Sequence, residues 1–142
     1  MKRLILFVDD EPFFALPYKE QLDKIYLVHV RNSPKEGLQA IRAMKDLSAL
    51  VLDIMMPPPE ELQGDASING GLDTGLWFLS QIKDEIAKRP LPVVILTNRD
   101  FAYVKYKVGE MKLPANRIEV RAKIQTPSWF LPQVVAKLLD IK

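Results

Sequence analysis

Cysteine is absent from the chain and histidine occurs once, at His29. Without thiols there is no disulfide framework and no thiolate nucleophile, and the absence fits a reducing, cytoplasmic setting. A lone imidazole inside a strand-like run, with no cysteine in the chain, leaves no His-based triad and no ordinary zinc site. Long hydrophobic runs are also missing. The opening Leu4–Val8 imitates a signal peptide only until Asp9-Asp10-Glu11 ends it, and no stretch approaches the roughly 20 apolar residues that span a bilayer. Neither charge dominates: 20 Lys and Arg are interspersed with 18 Asp and Glu for a net +2, too weak and too mixed to argue for nucleic-acid binding. Repeats, low-complexity tracts and linkers are lacking as well.

What is present is a set of short apolar runs. Hydrophobic residues make up 48% of 142, enough for one domain, residues 1–142, with a substantial core. The central run is Leu-Val-Leu-Asp-Ile-Met-Met-Pro, residues 50–57, continuous enough to read as part of a strand buried on both faces. Strands are read as well at the apolar runs Leu4–Val8 and Pro92–Thr97 and at Tyr26–Val30 and Ile118–Ala122, with the central strand read as Ala49–Met55. Helical spacing lies between them. Leu16, Leu22 and Ile25 mark a first helix beginning near Pro17. Ser33-Pro34-Lys35-Glu36 opens a second that runs to about Lys45, with Leu38, Ile41 and Met44 on one face. Leu79, Ile82 and Ile86 mark a third starting near Gly75, and Phe101, Val104, Val108 and Met111 mark a fourth capped by Asp100. Leu131, Val135 and Leu138 mark the last. Strand and helix alternating five times predict an α/β fold, a doubly wound five-stranded parallel sheet with helices on both faces.

Ligands bind open α/β sheets at the carboxyl ends of the strands. Four strands deliver polar groups there: Asp9 and Asp10, Asp53, Thr97 and Lys123. Three neighbouring carboxylates repel and call for a cation, and Mg²⁺ suits an all-oxygen site that also meets a phosphoryl group. Asp53 is the expected nucleophile, Lys123 the balancing charge and Thr97 a hydroxyl donor. The aromatics Trp77, Phe78, Trp129 and Phe130 read as core or helix packing, and Lys105, Lys107 and Lys112 as a solvated face.

The chain resembles a bacterial two-component response-regulator receiver domain. Val8-Asp9-Asp10-Glu11-Pro12, Leu52-Asp53-Ile54-Met55-Met56-Pro57, Val94-Ile95-Leu96-Thr97 and Lys123 stand in that order on the expected strands. The resemblance implies a flavodoxin-like fold and phosphoryl transfer from a sensor histidine kinase or phosphotransfer protein to Asp53. It also implies Mg²⁺ held by Asp10, Asp53 and the Met55 carbonyl, with Asp9 acting through water, and a switch in which Thr97 moves toward the phosphoryl group. The implied role is a signalling phosphoacceptor and not an enzyme with a separate substrate, one that assists its own phosphoryl transfer and slow self-dephosphorylation. Its implied partners are the kinase and a downstream protein target, without nucleic acid or membrane, and with a homodimer left open.

Three positions depart from the family pattern. Ile124 replaces the proline that usually follows the lysine, Val120 replaces an aromatic three residues before it, and Asn98 replaces a small residue after the threonine. An insertion also separates Asp53 from Gly75, with prolines at 57, 58 and 59 and glycines at 64, 70, 71 and 75. A loop of about 57–75 exceeds the roughly 12 to 15 residues usual for unstructured connections and reads as a lid or partner-docking insertion. Its Asp65–Asp73 stretch copies part of a calcium-loop pattern, but Leu76 stands where the closing Glu belongs. Two other functions remain open. One is an adaptor with the receiver fold whose partner binding does not depend on phosphorylation. The other is a phosphatase with an aspartyl nucleophile, which Met55 argues against because such enzymes carry a second Asp two residues after the first.

Overall fold

The structure is a computed structural model and describes residues 2–140. In chain order it contains β1 (Leu4–Val8), α1 (Pro12–Asp23), β2 (Leu27–Arg31), α2 (Pro34–Ala43), β3 (Leu47–Leu52), α3 (Thr74–Gln81), α4 (Lys83–Lys88), β4 (Val93–Thr97), α5 (Phe101–Glu110), β5 (Ile118–Ala122) and α6 (Leu131–Leu139). The strands form one parallel sheet in the order β2-β1-β3-β4-β5. This is the flavodoxin-like arrangement expected from the alternation of strands and helices.

Successive strand residues point to opposite faces, and each face has its own core. Leu6, Val8, Leu50, Leu52, Val93 and Ile95 pack with Leu38 and Ile41 of α2, Phe78 and Leu79 of α3, and Val104 of α5. Ile5, Phe7, Ala49, Val51, Val94 and Leu96 pack with Ala15, Tyr18 and Leu22 of α1 and with Leu131 and Val135 of α6. Burial on both sides explains why β1, β3 and β4 read as unbroken apolar runs.

Several boundaries differ from the sequence expectation. Pairing in β3 begins at Leu47 and stops at Leu52, which faces Val8, the last residue of β1, on one side and Ile95 on the other. Ile54 and Met56 nevertheless stay buried, so the apolar run beyond Asp53 reports a covered loop rather than more strand. Helix α1 begins at Pro12 and runs through Pro17. Pro12 sits among the first helical positions, where a missing N–H is harmless, and Pro17 is on the exposed side, where solvent can reach the unmatched carbonyl. The buried face of α1 is Ala15, Tyr18 and Leu22, while Leu16 and Ile25 are about half exposed. The expected third helix breaks at Ile82 into α3 and α4, although Leu79, Ile82 and Ile86 all remain in the core. Trp129 is largely exposed and Phe101 partly so, against the reading of both as packing residues. Among the described residues, no helix is long and apolar enough to cross a membrane.

Candidate functional site

Pairing alone assembles the polar edge. Val8 lies opposite Leu52, so the residues that follow them, Asp9 and Asp53, emerge side by side. The Asp53 N–H donates to the Val8 carbonyl at 3.0 Å, and the Asp9 N–H to the Arg31 carbonyl at 3.1 Å. At the other side of the edge Thr97 pairs with Ala122, which delivers Lys123 next. Asp9, Asp53, Thr97 and Lys123 are all buried, and Asp10 is partly so.

One carboxylate oxygen from each of Asp9, Asp10 and Asp53 lies within 4.8 Å of the others. The Lys123 ammonium stands 3.4 Å from Asp9 Oδ2 and 3.5 Å from Asp53 Oδ1. Those are ion-pair distances without hydrogen-bond geometry, and Asp9 Oδ2, Asp10 Oδ1 and Asp53 Oδ1 have no hydrogen-bond donor. One ammonium faces three acids. Burial pushes the Asp53 carboxyl up to about 7, against the pull of Lys123 and of a backbone hydrogen bond from Met55, and the charges of Asp9 and Asp10 add to the rise. Burial also raises Asp9, opposed by the Glu11 N–H at 2.9 Å and by Lys123, and raises Asp10. A buried, all-oxygen donor set with three unmatched acceptors fits a hard divalent cation. Met55 follows, partly buried, two residues after Asp53.

Side chains that sequence reasoning did not single out hold Lys123 in place. Its ammonium lies 4.0 Å from the centre of the Phe14 ring. The chain leaves β5 in a tight turn, Lys123–Gln125, where the Thr126 hydroxyl donates to the Ala122 carbonyl at 2.9 Å and the Tyr18 hydroxyl donates to the Thr126 carbonyl. Phe14 and Tyr18 stand four residues apart on α1 and stack at 4.9 Å. That spacing is visible in the sequence, but nothing local says which strand end it meets. Ile124, in the usual proline position, is almost fully exposed. Val120, in place of the aromatic, is partly buried and lines a cavity of about 450 Å³ with Phe101, Val108 and Ile118. Asn98 is exposed.

The insertion packs on the Asp53 loop. The Gly75 N–H donates to the Ile54 carbonyl at 2.8 Å, and the Met56 N–H to the Gly71 carbonyl at 3.2 Å. A Cβ on Gly75 would lie 2.4 Å from the Asp53 carbonyl oxygen and 2.4 Å from the Ile54 Cα, so only glycine permits this approach. The insertion folds into short 3₁₀ turns at Glu60–Leu62 and Ala66–Gly71, pinned by the buried Ile68. Its acids serve separate purposes: Asp65 accepts from the backbone and hydroxyl of Ser67, while Asp73 is buried against Arg99, Tyr103 and Asn69. The partial calcium-loop pattern therefore does not converge on one ion.

No family profile and no curated sequence matches the chain. Solved structures match along nearly its whole length. The isolated receiver domain of RcsB from Salmonella enterica serovar Typhimurium, solved with the phosphomimetic BeF3-, superposes with a TM-score of 0.68 at 17% identity, covering 96% of this chain and 87% of that one. A CheY-like response-regulator receiver domain from Methanospirillum hungatei gives 0.70 at 16% identity, with 99% and 95% covered. The BeF3-activated receiver domain of DrrB, a Thermotoga maritima protein, gives 0.71 at 18% identity, with 99% and 100% covered.

Proposed function

We propose, starting from a chain with the fold of response-regulator receiver domains, that this protein accepts a phosphoryl group on Asp53 and signals by a phosphorylation-dependent change in its protein contacts. The observation that carries this reading is the buried Asp53 carboxylate, set between the Lys123 ammonium at 3.5 Å and the two acids Asp9 and Asp10. The donor is the phosphohistidine of a sensor histidine kinase or phosphotransfer protein, and the site works in the cytoplasm. An Asp53 oxygen attacks phosphorus, the P–N bond breaks as the P–O bond forms, and the imidazole leaves with the electron pair and takes up a proton. Little covalent work falls to the protein, and positioning with charge neutralisation carries the step.

Asp9, Asp10, Asp53 and the Met55 carbonyl are the groups that would hold Mg²⁺. Bound there, Mg²⁺ supplies charge neutralisation for the phosphoryl oxygens and favours the ionised carboxylate that Asp53 needs as a nucleophile. Lys123 neutralises charge from the opposite side, buried with its ammonium 4.0 Å from the centre of the Phe14 ring. Thr97 offers its hydroxyl proton to a phosphoryl oxygen. Water attack on phosphorus later releases inorganic phosphate and restores Asp53.

The test is intact-mass spectrometry after incubation with Mg²⁺ and acetyl phosphate, on the wild type and on Asp53→Ala. A single phosphoryl adduct that requires Mg²⁺ and vanishes in the variant is expected; an adduct that survives Asp53→Ala refutes the assignment. The second reading, a phosphorylation-independent adaptor, is favoured by Val120, which leaves a cavity rather than a ring to follow Thr97. Amide resonances decide between the two. Shifts that reach α5 and β5 on phosphorylation support the switch, and shifts confined to the acidic edge support the adaptor.

A further inference from the structure

Resting on that reading, we propose that Asp73 is a positioning residue for Thr97, acting through Arg99, and that it ties the 57–73 insertion to the hydroxyl that meets the phosphoryl group. Asp73 is the last residue of the insertion and only 3% exposed. A carboxylate so deeply buried must be matched, and three donors match it. Arg99 Nε reaches Oδ1 at 3.1 Å, the Tyr103 hydroxyl reaches Oδ2 at 2.6 Å, and Asn69 Nδ2 donates to the same Oδ2. Two of these donors flank the turn between β4 and α5; the third belongs to the insertion.

Arg99 is the junction. Its guanidinium lies 4.3 Å from the centre of the Tyr103 ring while it pairs with Asp73, so charge and stacking fix the side chain together. Its backbone N–H donates to Thr97 Oγ1 at 2.9 Å. The same turn is capped at its far end, where Asp100 Oδ1 accepts from the Tyr103 N–H at 2.9 Å. A threonine hydroxyl carries one proton and two lone pairs. With Arg99 occupying an acceptor position, the proton is left for a phosphoryl oxygen, and the orientation of the hydroxyl depends on where the Arg99 N–H stands. Asp73 sets that place. The insertion meets the site twice, through Gly71 on the Asp53 loop and through Asp73 on the Thr97 turn, so a protein that grips residues 57–73 acts on both.

A merely structural Asp73 would also be costly to remove, so two measurements are needed. The first is amide hydrogen exchange at residue 99 in the metal-free, unphosphorylated protein. Asp73→Asn is expected to speed exchange there by about tenfold, the effect of losing one charge-assisted hydrogen bond, while amides of β1 and β3 stay unchanged. If Asp73→Asn does not fold, Arg99→Gln, at a side chain 24% exposed, reads the same amide. Unchanged exchange overturns the proposal. The second is the rate of adduct formation from acetyl phosphate in Arg99→Ala, Thr97→Val and the double variant. Each single change is expected to slow the reaction by about tenfold, with the double variant no slower than Thr97→Val alone. Independent, multiplicative slowing, or no slowing in Arg99→Ala, overturns it. A wild type that takes no adduct refutes the phosphoacceptor reading instead, and the exchange measurement then decides alone whether Asp73 holds the Thr97 turn.

Discussion

Replacing Asp53 by Asn should stabilise the metal-free protein at neutral pH and above. The Asp53 side chain is only 2% exposed, and burial lifts its carboxyl from 3.8 to about 7 even with Lys123 pulling the other way. Every tenfold gain in proton affinity is worth about 1.4 kcal/mol, so ionising Asp53 inside the fold costs about 4 kcal/mol relative to the unfolded chain. The folded state holds this proton more tightly than the unfolded state does. Its contribution is therefore fully present below 3.8 and is lost as the pH rises through about 7. Asn has nearly the same shape and carries no charge, so it escapes the loss, and Lys123 keeps Asp9 as a partner at 3.4 Å. Urea unfolding in a chelator, at about pH 5 and about pH 8, measures the difference between variant and wild type. The gap should be about 1.7 kcal/mol at the lower pH and approach about 4 kcal/mol at the higher. Adding Mg²⁺ at about 100 times its dissociation constant should recover about 2.7 kcal/mol in the wild type and far less in the variant. A variant no more stable than the wild type at about pH 8, or a gap that ignores pH, refutes the account of Asp53 as a buried carboxylate short of counter-charge.

Two further expectations follow from the same geometry. Lys123→Met keeps an unbranched stem beside Phe14 but removes the ammonium from three acids, so neutral-pH stability without metal should fall by about 3 to 5 kcal/mol, measured by urea unfolding, with Mg²⁺ restoring part of it. A loss that Mg²⁺ leaves untouched would point to packing rather than charge. Gly75→Ala forces a methyl to within 2.4 Å of the Asp53 carbonyl oxygen and the Ile54 Cα. Stability should drop by about 1 to 3 kcal/mol, seen as a lower urea midpoint with an unchanged slope, and amide shifts should centre on 53–56; a silent substitution would refute the close packing of α3 on that loop.

Local chemistry makes much of this legible in advance. The strands read at Leu4–Val8, Pro92–Thr97 and Ile118–Ala122 match residue for residue or within one, the first two because burial on both faces of a parallel sheet demands continuous apolar sequence. The edge residues Asp9, Asp10, Asp53, Thr97 and Lys123 can be placed together, since in such a sheet all carboxyl ends lie on one side. The end of β3 cannot be read. Ile54 and Met56 are apolar because α3 and the insertion cover them, and hydrophobicity records burial without saying whether a partner strand is present. The extent of α1 escapes the sequence for a related reason: whether Pro17 ends a helix depends on whether solvent can satisfy the carbonyl it leaves unmatched.

By itself, then, the sequence determined the alternating pattern, the parallel sheet and the identity of the charged groups at its edge, all of which follow from periodicity and from the cost of burying charge. Only the tertiary structure decided how those groups are held. Phe14 and Tyr18 reach the Lys123 turn from α1, and Asp73 reaches Arg99 across 26 positions of chain. Contacts between residues so far apart depend on how helices settle onto the sheet. No local spacing encodes that, and in this chain it governs the Lys123 ammonium and the Thr97 hydroxyl alike.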